Sequence, residues 1–129
     1  MGTRVYCIAD FIPCCMKESQ SVQVLYEAEL NARVQFGLNT KAELLKFIGN
    51  QGLQDLIYCN TELWKNNPRK DKEIYVDAYK FRSNKKIGYI AFMKSFADKY
   101  VIKSFHLDYN KITLKGLSIN TERLLKDEI

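Results

Sequence analysis

The chain has 129 residues, 47% of them hydrophobic, with twenty Lys and Arg against fifteen Asp and Glu for a formal charge of +5. That length suits one domain able to bury a core without metals or disulfides as staples. The longest uncharged apolar stretch, about Val5 to Met16, is interrupted by Asp10 and Pro13 and is too short to cross a bilayer.

Residues 3–12 are rich in strand formers and stop before Pro13, so the first 18 residues read as a strand or an irregular arm. Arg4 precedes this apolar run as it would in a secretion signal. The run carries Asp10, however, and lacks a small-x-small cleavage pattern, so it reads as part of the mature protein. From about Ser19 a first helix is expected, with Val22, Leu25, Tyr26, Leu30 and Val34 near one face and Gly37 as its C-terminal stop. Thr40-Lys-Ala-Glu43 fits a capping box ahead of Leu44, Leu45, Phe47 and Ile48, and so opens a second helix, broken by Gly49-Asn50 and Gly52. The following LQDLIY reads as a further helical turn or two, and Pro68 closes a helical half over 19–67.

Three apolar runs then follow, residues 73–81, 87–93 and 99–105, joined by breaks short enough for hairpins. They predict an antiparallel meander within 73–115, with a further strand around Lys111–Leu114 making a fourth, and a tail over 116–129 that turns helix-like from Asn120. The reading is a single α+β domain over 1–129: two to three helices packed on a three- to four-stranded antiparallel sheet.

Charge is concentrated on that meander. Between Lys65 and Lys103 eleven basic residues stand among four acidic ones, so the rest of the chain is slightly acidic and the middle suits a polyanion. No nucleotide-binding glycine loop, HExxH or Ser-His-Asp order is present, and a single histidine rules out most multi-histidine metal sites. Cys7, Cys14, Cys15 and Cys59 lack CxxC spacing, which argues against zinc and for reduced thiols in a cytoplasmic protein. No cofactor and no metal are therefore expected.

Chemistry that needs only protein side chains remains. RNA can be cut when a base takes the 2′-hydroxyl proton, cations stabilise the crowded phosphate and an acid protonates the leaving 5′-oxygen. His106, at the end of the third run, suits either proton-transfer role, since imidazole ordinarily titrates near pH 6.5. Tyr89 is the tyrosine best placed to donate a proton or stack on a base. Lys103 would help hold the phosphate, but in a regular strand it falls on the opposite face from His106, so the two can share a site only across an edge or a bulge. Lys80, Arg82, Lys85 and Lys86 form a candidate nucleic-acid-binding rim around the first hairpin, against the alternative of solvated charges that keep the sheet soluble. Trp64 reads as a core anchor between helix and sheet. Cys59 has no neighbouring base that would make it a nucleophile.

The succession Phe36-Gly37-Leu38, Gly52-Leu53-Gln54-Asp55-Leu56-Ile57-Tyr58, Trp64, Ile87-Gly88-Tyr89-Ile90 and Val101-Ile102-Lys103-Ser104-Phe105-His106 resembles the MqsR toxins, members of the RelE-like messenger-RNA interferases. The likeness spans roughly residues 25–107. It implies a RelE-like sheet, cleavage of RNA without a metal, and a cognate antitoxin protein that silences it. By that resemblance Tyr89 matches the hairpin tyrosine and His106 stands where these toxins carry a lysine after Ser-Phe. Tyr58 replaces a lysine of the family pattern and Lys65 a glutamine. The alternative from a different class is a non-catalytic mobile-element protein that binds nucleic acid or a protein partner through the basic hairpin.

Overall fold

The computed structural model describes residues 3–108. The chain runs α1 (Ile8–Lys17), a 3₁₀ turn (Ser19–Ser21), β1 (Gln23–Val24), α2 (Tyr26–Phe36), α3 (Lys41–Gly49), β2 (Gln54–Leu63), β3 (Tyr75–Ser83), β4 (Lys86–Lys94) and β5 (Tyr100–Leu107). The sheet order is β1-β5-β4-β3-β2. The architecture is α+β as expected, but the sheet has five strands and is mixed, because β1 pairs parallel to β5 while the other pairs are antiparallel.

The meander β3–β4–β5 appears where the apolar runs placed it. North of it, three expectations are corrected. The N-terminal arm is helical over Ile8–Lys17 with Pro13 inside it. An internal proline costs a helix about 3 kcal/mol, and tertiary packing offsets that: Phe11 is fully buried and stacks on Phe92 with centroids 4.1 Å apart, while Cys15 is buried one turn on. The helix expected from Ser19 begins only at Tyr26, since Gln23 and Val24 are drawn into the sheet beside Val101 and Ile102. Its buried face is Ala28 and Ala32, whereas Tyr26 and Val34 are exposed. Small side chains four residues apart let the helix approach β5 closely, which an apolar-periodicity argument built on larger residues does not see. The segment LQDLIY is the start of β2, paired with β3 and half-burying Leu56 and Tyr58 against the core.

Local signals that depend on neighbours in sequence hold. Gly37 closes α2 in the left-handed region, φ 71°, donating its N–H to Arg33 O. At α3, Thr40 Oγ1 accepts from Glu43 N at 3.1 Å, and the Glu43 carboxylate reaches back to Asn39 N at 2.7 Å. The expected strand around Lys111–Leu114 and the tail over 116–129 lie outside the described residues.

The main core sits between the three helices and one face of the sheet, where Tyr79, Phe81, Ile90, Phe92, Ile102 and Phe105 are buried. A smaller cluster, including Val76, Ala78, Ala91, Met93 and Val101, lies on the other face. Buried Asp77 ties the N-terminal segment to the sheet by accepting from Val5 N, Tyr6 N and Thr61 Oγ1 at 2.6 to 3.1 Å. Among the described residues no helix is long and apolar enough to cross a membrane.

Candidate nucleic-acid interface

Strand alternation sends every second residue of β3, β4 and β5 to the face away from the helices. One row across that face is in register through four strands: Ile57 opposite Lys80, Lys80 opposite Tyr89, Tyr89 opposite His106. The Tyr89 and His106 rings stack with centroids 4.9 Å apart and planes 15° from parallel. Gly88 precedes Tyr89 because a Cβ there would collide with the Phe81 ring on the helix side.

Lys103 and His106 share this face by way of an irregularity. Ala91 pairs with Ser104 and Phe92 with Ile102, so Lys103 is an extra residue in β5. Ile102 and Phe105, three apart, are consequently both buried in the helix-side core. Two residues rather than one lie between them, and the phase of the strand changes at that point. The bulge resolves the sequence conflict: Lys103 lines a cleft together with Tyr89, and His106 stacks against Tyr89.

That cleft has a volume of about 320 Å³ and is lined by Ala78 and Ala91, by Asn60 and Glu62 of β2, and by Trp64, Lys65 and Asn66 of the loop after it. Ala78 faces Ala91 across β3 and β4. Two adjacent small side chains in the middle of a sheet leave a hollow that the larger neighbours wall in. The loop is held over it by Trp64 N donating to Ile74 O at 2.8 Å and by buried Asn67, which donates from Nδ2 to Lys72 O at 2.7 Å and accepts from Arg69 N at 3.0 Å. Trp64 is thus half-buried against the smaller cluster and forms one wall of the cleft, not an anchor between helix and sheet.

Proton inventory assigns roles within the row. His106 Nδ1 lies 2.6 Å from Leu107 O; a carbonyl only accepts, so Nδ1 is the donor in this contact. The Tyr89 hydroxyl is pushed above the usual tyrosine range, first by burial and then by Cys59, Glu62 and Asp108 nearby. It keeps its proton near neutrality and can act as a donor, not a base. Burial also raises the Cys59 thiol, which keeps it protonated and a poor nucleophile.

The expected cationic rim is dispersed. Lys80 pairs with largely buried Asp108 at 3.1 Å beside the Tyr89 row. Arg82 donates from Nε to Asp55 Oδ2 at 2.6 Å on the exposed end of the sheet. Lys86 turns to the helix side, donating to Gln35 O at 2.7 Å above the Phe36 ring, and Lys85 lines a separate hollow there with Lys86. Alternation separates the four: Ser83 pairs with Lys86, so a two-residue turn reverses the chain and carries Lys85 away from the Lys80 face. The cations that flank the cleft are instead Lys103 and Lys65.

The sequence reading brought out Tyr89, His106 and Lys103 and missed Asn60, Glu62, Lys65 and Asn66. Only the recognition of β2 as a strand, with Asn60 and Glu62 on alternate positions facing Ala78 and Val76, would have found the first two. Among the described residues no group of three or more His, Cys, Asp or Glu stands where it could hold a metal ion. No family model, no curated protein and no solved structure matches this chain.

Proposed function

We propose that the protein is a metal-independent RNA endonuclease whose site is the Tyr89, His106 and Lys103 cluster beside the cleft. The observation that carries this reading is the β5 bulge, which brings His106 onto Tyr89 on the same face on which Lys103 lines the cleft. His106 Nε2 takes the proton of an RNA 2′-hydroxyl, and that oxygen attacks the adjacent phosphorus. Lys103 opposes the charge that builds on the non-bridging oxygens. The Tyr89 hydroxyl gives its proton to the departing 5′-oxygen, leaving a 2′,3′-cyclic phosphate and a 5′-hydroxyl. His106, protonated in the first half, then gives its proton to solvent, and the Tyr89 phenolate takes one up from solvent, which restores both groups.

The reading includes the likeness to RelE-type interferases in the cytoplasm and a cognate antitoxin as partner. It departs from the hairpin-rim idea: phosphates flanking the cut would meet Lys65 and Lys103, while Lys80 and Arg82 already face carboxylates. The test is incubation of the purified protein with a long single-stranded RNA in EDTA, beside His106→Ala, with identification of the fragment ends. Cleavage that persists in EDTA, leaves cyclic phosphate ends and falls in the variant supports the reading. RNA that is retained but uncut overturns it in favour of a binding protein, whose affinity would fall steeply with salt.

A further inference from the structure

We infer that the cleft beside this cluster is a nucleobase pocket that selects guanine in a single RNA strand; the inference rests on the RNA reading above and names the base next to the cut. Its volume of about 320 Å³ is at the small end of ligand pockets and suits one base with its sugar. Trp64 supplies a flat apolar wall, and stacking of bases on aromatic rings is the usual way a single strand is held.

Glu62 supplies the selection. It lies on the cleft side of β2, opposite Val76, and its carboxylate is close enough to Tyr89 to help raise that hydroxyl's pKa. Asn60 Nδ2 donates to Glu62 Oε2 at 2.9 Å, which orients the carboxylate in the cleft. A carboxylate offers two acceptors side by side. Guanine alone presents two adjacent donors, N1–H and N2–H, on its pairing edge. Adenine and cytosine each set a ring-nitrogen acceptor beside their amino group, and uracil flanks its single N–H with two carbonyls, so all three would bring lone pairs against the carboxylate. Lys65 and Lys103, on the rim, are placed for the phosphates on either side of the bound base.

Trp64 is the only tryptophan in the chain, so its fluorescence reports on the pocket directly. The experiment titrates the full protein with uridine pentamers carrying G, A, C or U at the centre, all 2′-O-methylated so that no 2′-proton is available for cleavage. The expected result is quenching by the guanine pentamer at an affinity about tenfold above the other three. Glu62→Gln should remove that preference, weakening the guanine pentamer while the other three bind no more weakly than before. Equal affinity for the four pentamers, or a preference that survives in E62Q, overturns the assignment. Free GMP is the second arm: binding as tight as the guanine pentamer would make a free nucleotide the ligand and overturn the strand assignment. Guanine-selective binding with no cleavage of long RNA sustains the pocket and removes the nuclease; cleavage indifferent to guanine does the reverse.

Discussion

The two faces of the β3–β4–β5 sheet are made by alternate residues of the same strands and have opposite character. The helix side carries large rings packed on one another: Phe81 on Phe105 at 5.4 Å and Phe92 on Phe11 at 4.1 Å. The other side alternates small floor residues, Ala78 and Ala91, with the polar row of Lys80, Tyr89 and His106. The larger part of the core is therefore on one face, and the cluster of titratable side chains is on the other, beside the smaller apolar cluster. A residue's worth to folding and its worth to function should separate by face, and β5 is the place where the separation is made, because the bulge at Lys103 changes which residues point where.

The largest expected effect tests the helix side. Phe92→Ala removes a fully buried ring contacting Tyr6, Phe11, Tyr79 and Tyr100. It should lower unfolding free energy by about 4 kcal/mol in urea titrations, while the surviving folded fraction keeps its RNA affinity. The mirror experiment is His106→Ala, which should reduce RNA cleavage by about 10²-fold or more, with stability altered by less than about 1 kcal/mol. Comparable losses of stability in both variants would erase the distinction between the faces. Lys103→Ala sharpens it further. Loss of one phosphate contact should weaken RNA binding about equally for all sequences and lower the slope of log affinity against log salt by about 1.

Tyrosine ionisation should strike both faces together. Burial is the leading cause of the raised pKa at Tyr79 and Tyr100 on the core side and at Tyr89 on the other. A phenol whose pKa is higher folded than unfolded stabilises the fold fully below the unfolded value of about 10, and that contribution is lost as pH rises above it. Melting temperature should accordingly show no tyrosine-linked loss up to about pH 10 and then fall, and Tyr89→Phe should lessen the fall. The smallest effect belongs to Arg82→Ala: its partner Asp55 and the pair itself are exposed, so stability should change by less than about 0.5 kcal/mol by the same urea assay.

Much of the frame was legible because its signals are local. The Thr40–Glu43 cap, the Gly37 stop and the period-two runs of the meander each depend on residues a few positions apart, and each appears where the sequence placed it. Tyr89 and His106 could be nominated for the same reason, as polar groups at readable strand positions. The three misread segments share a different cause. Helix α1 forms across Pro13 because Phe11 finds Phe92, Gln23 and Val24 leave the helix because β5 is there to pair with them, and β2 forms because β3 is there to pair with it.

What the sequence determined by itself was an α+β domain with a basic antiparallel meander and the chemical types available on it. What only the tertiary structure decided was their grouping. An unpaired residue in β5 brings His106 to the face where Lys103 lines the Tyr89 cleft, strand β2 contributes Asn60 and Glu62, and the loop pinned by Asn67 brings Trp64 over the Ala78–Ala91 hollow. Bulges, parallel edge pairing and loop closure are set by contacts between residues far apart in the chain, and no period in the sequence encodes them.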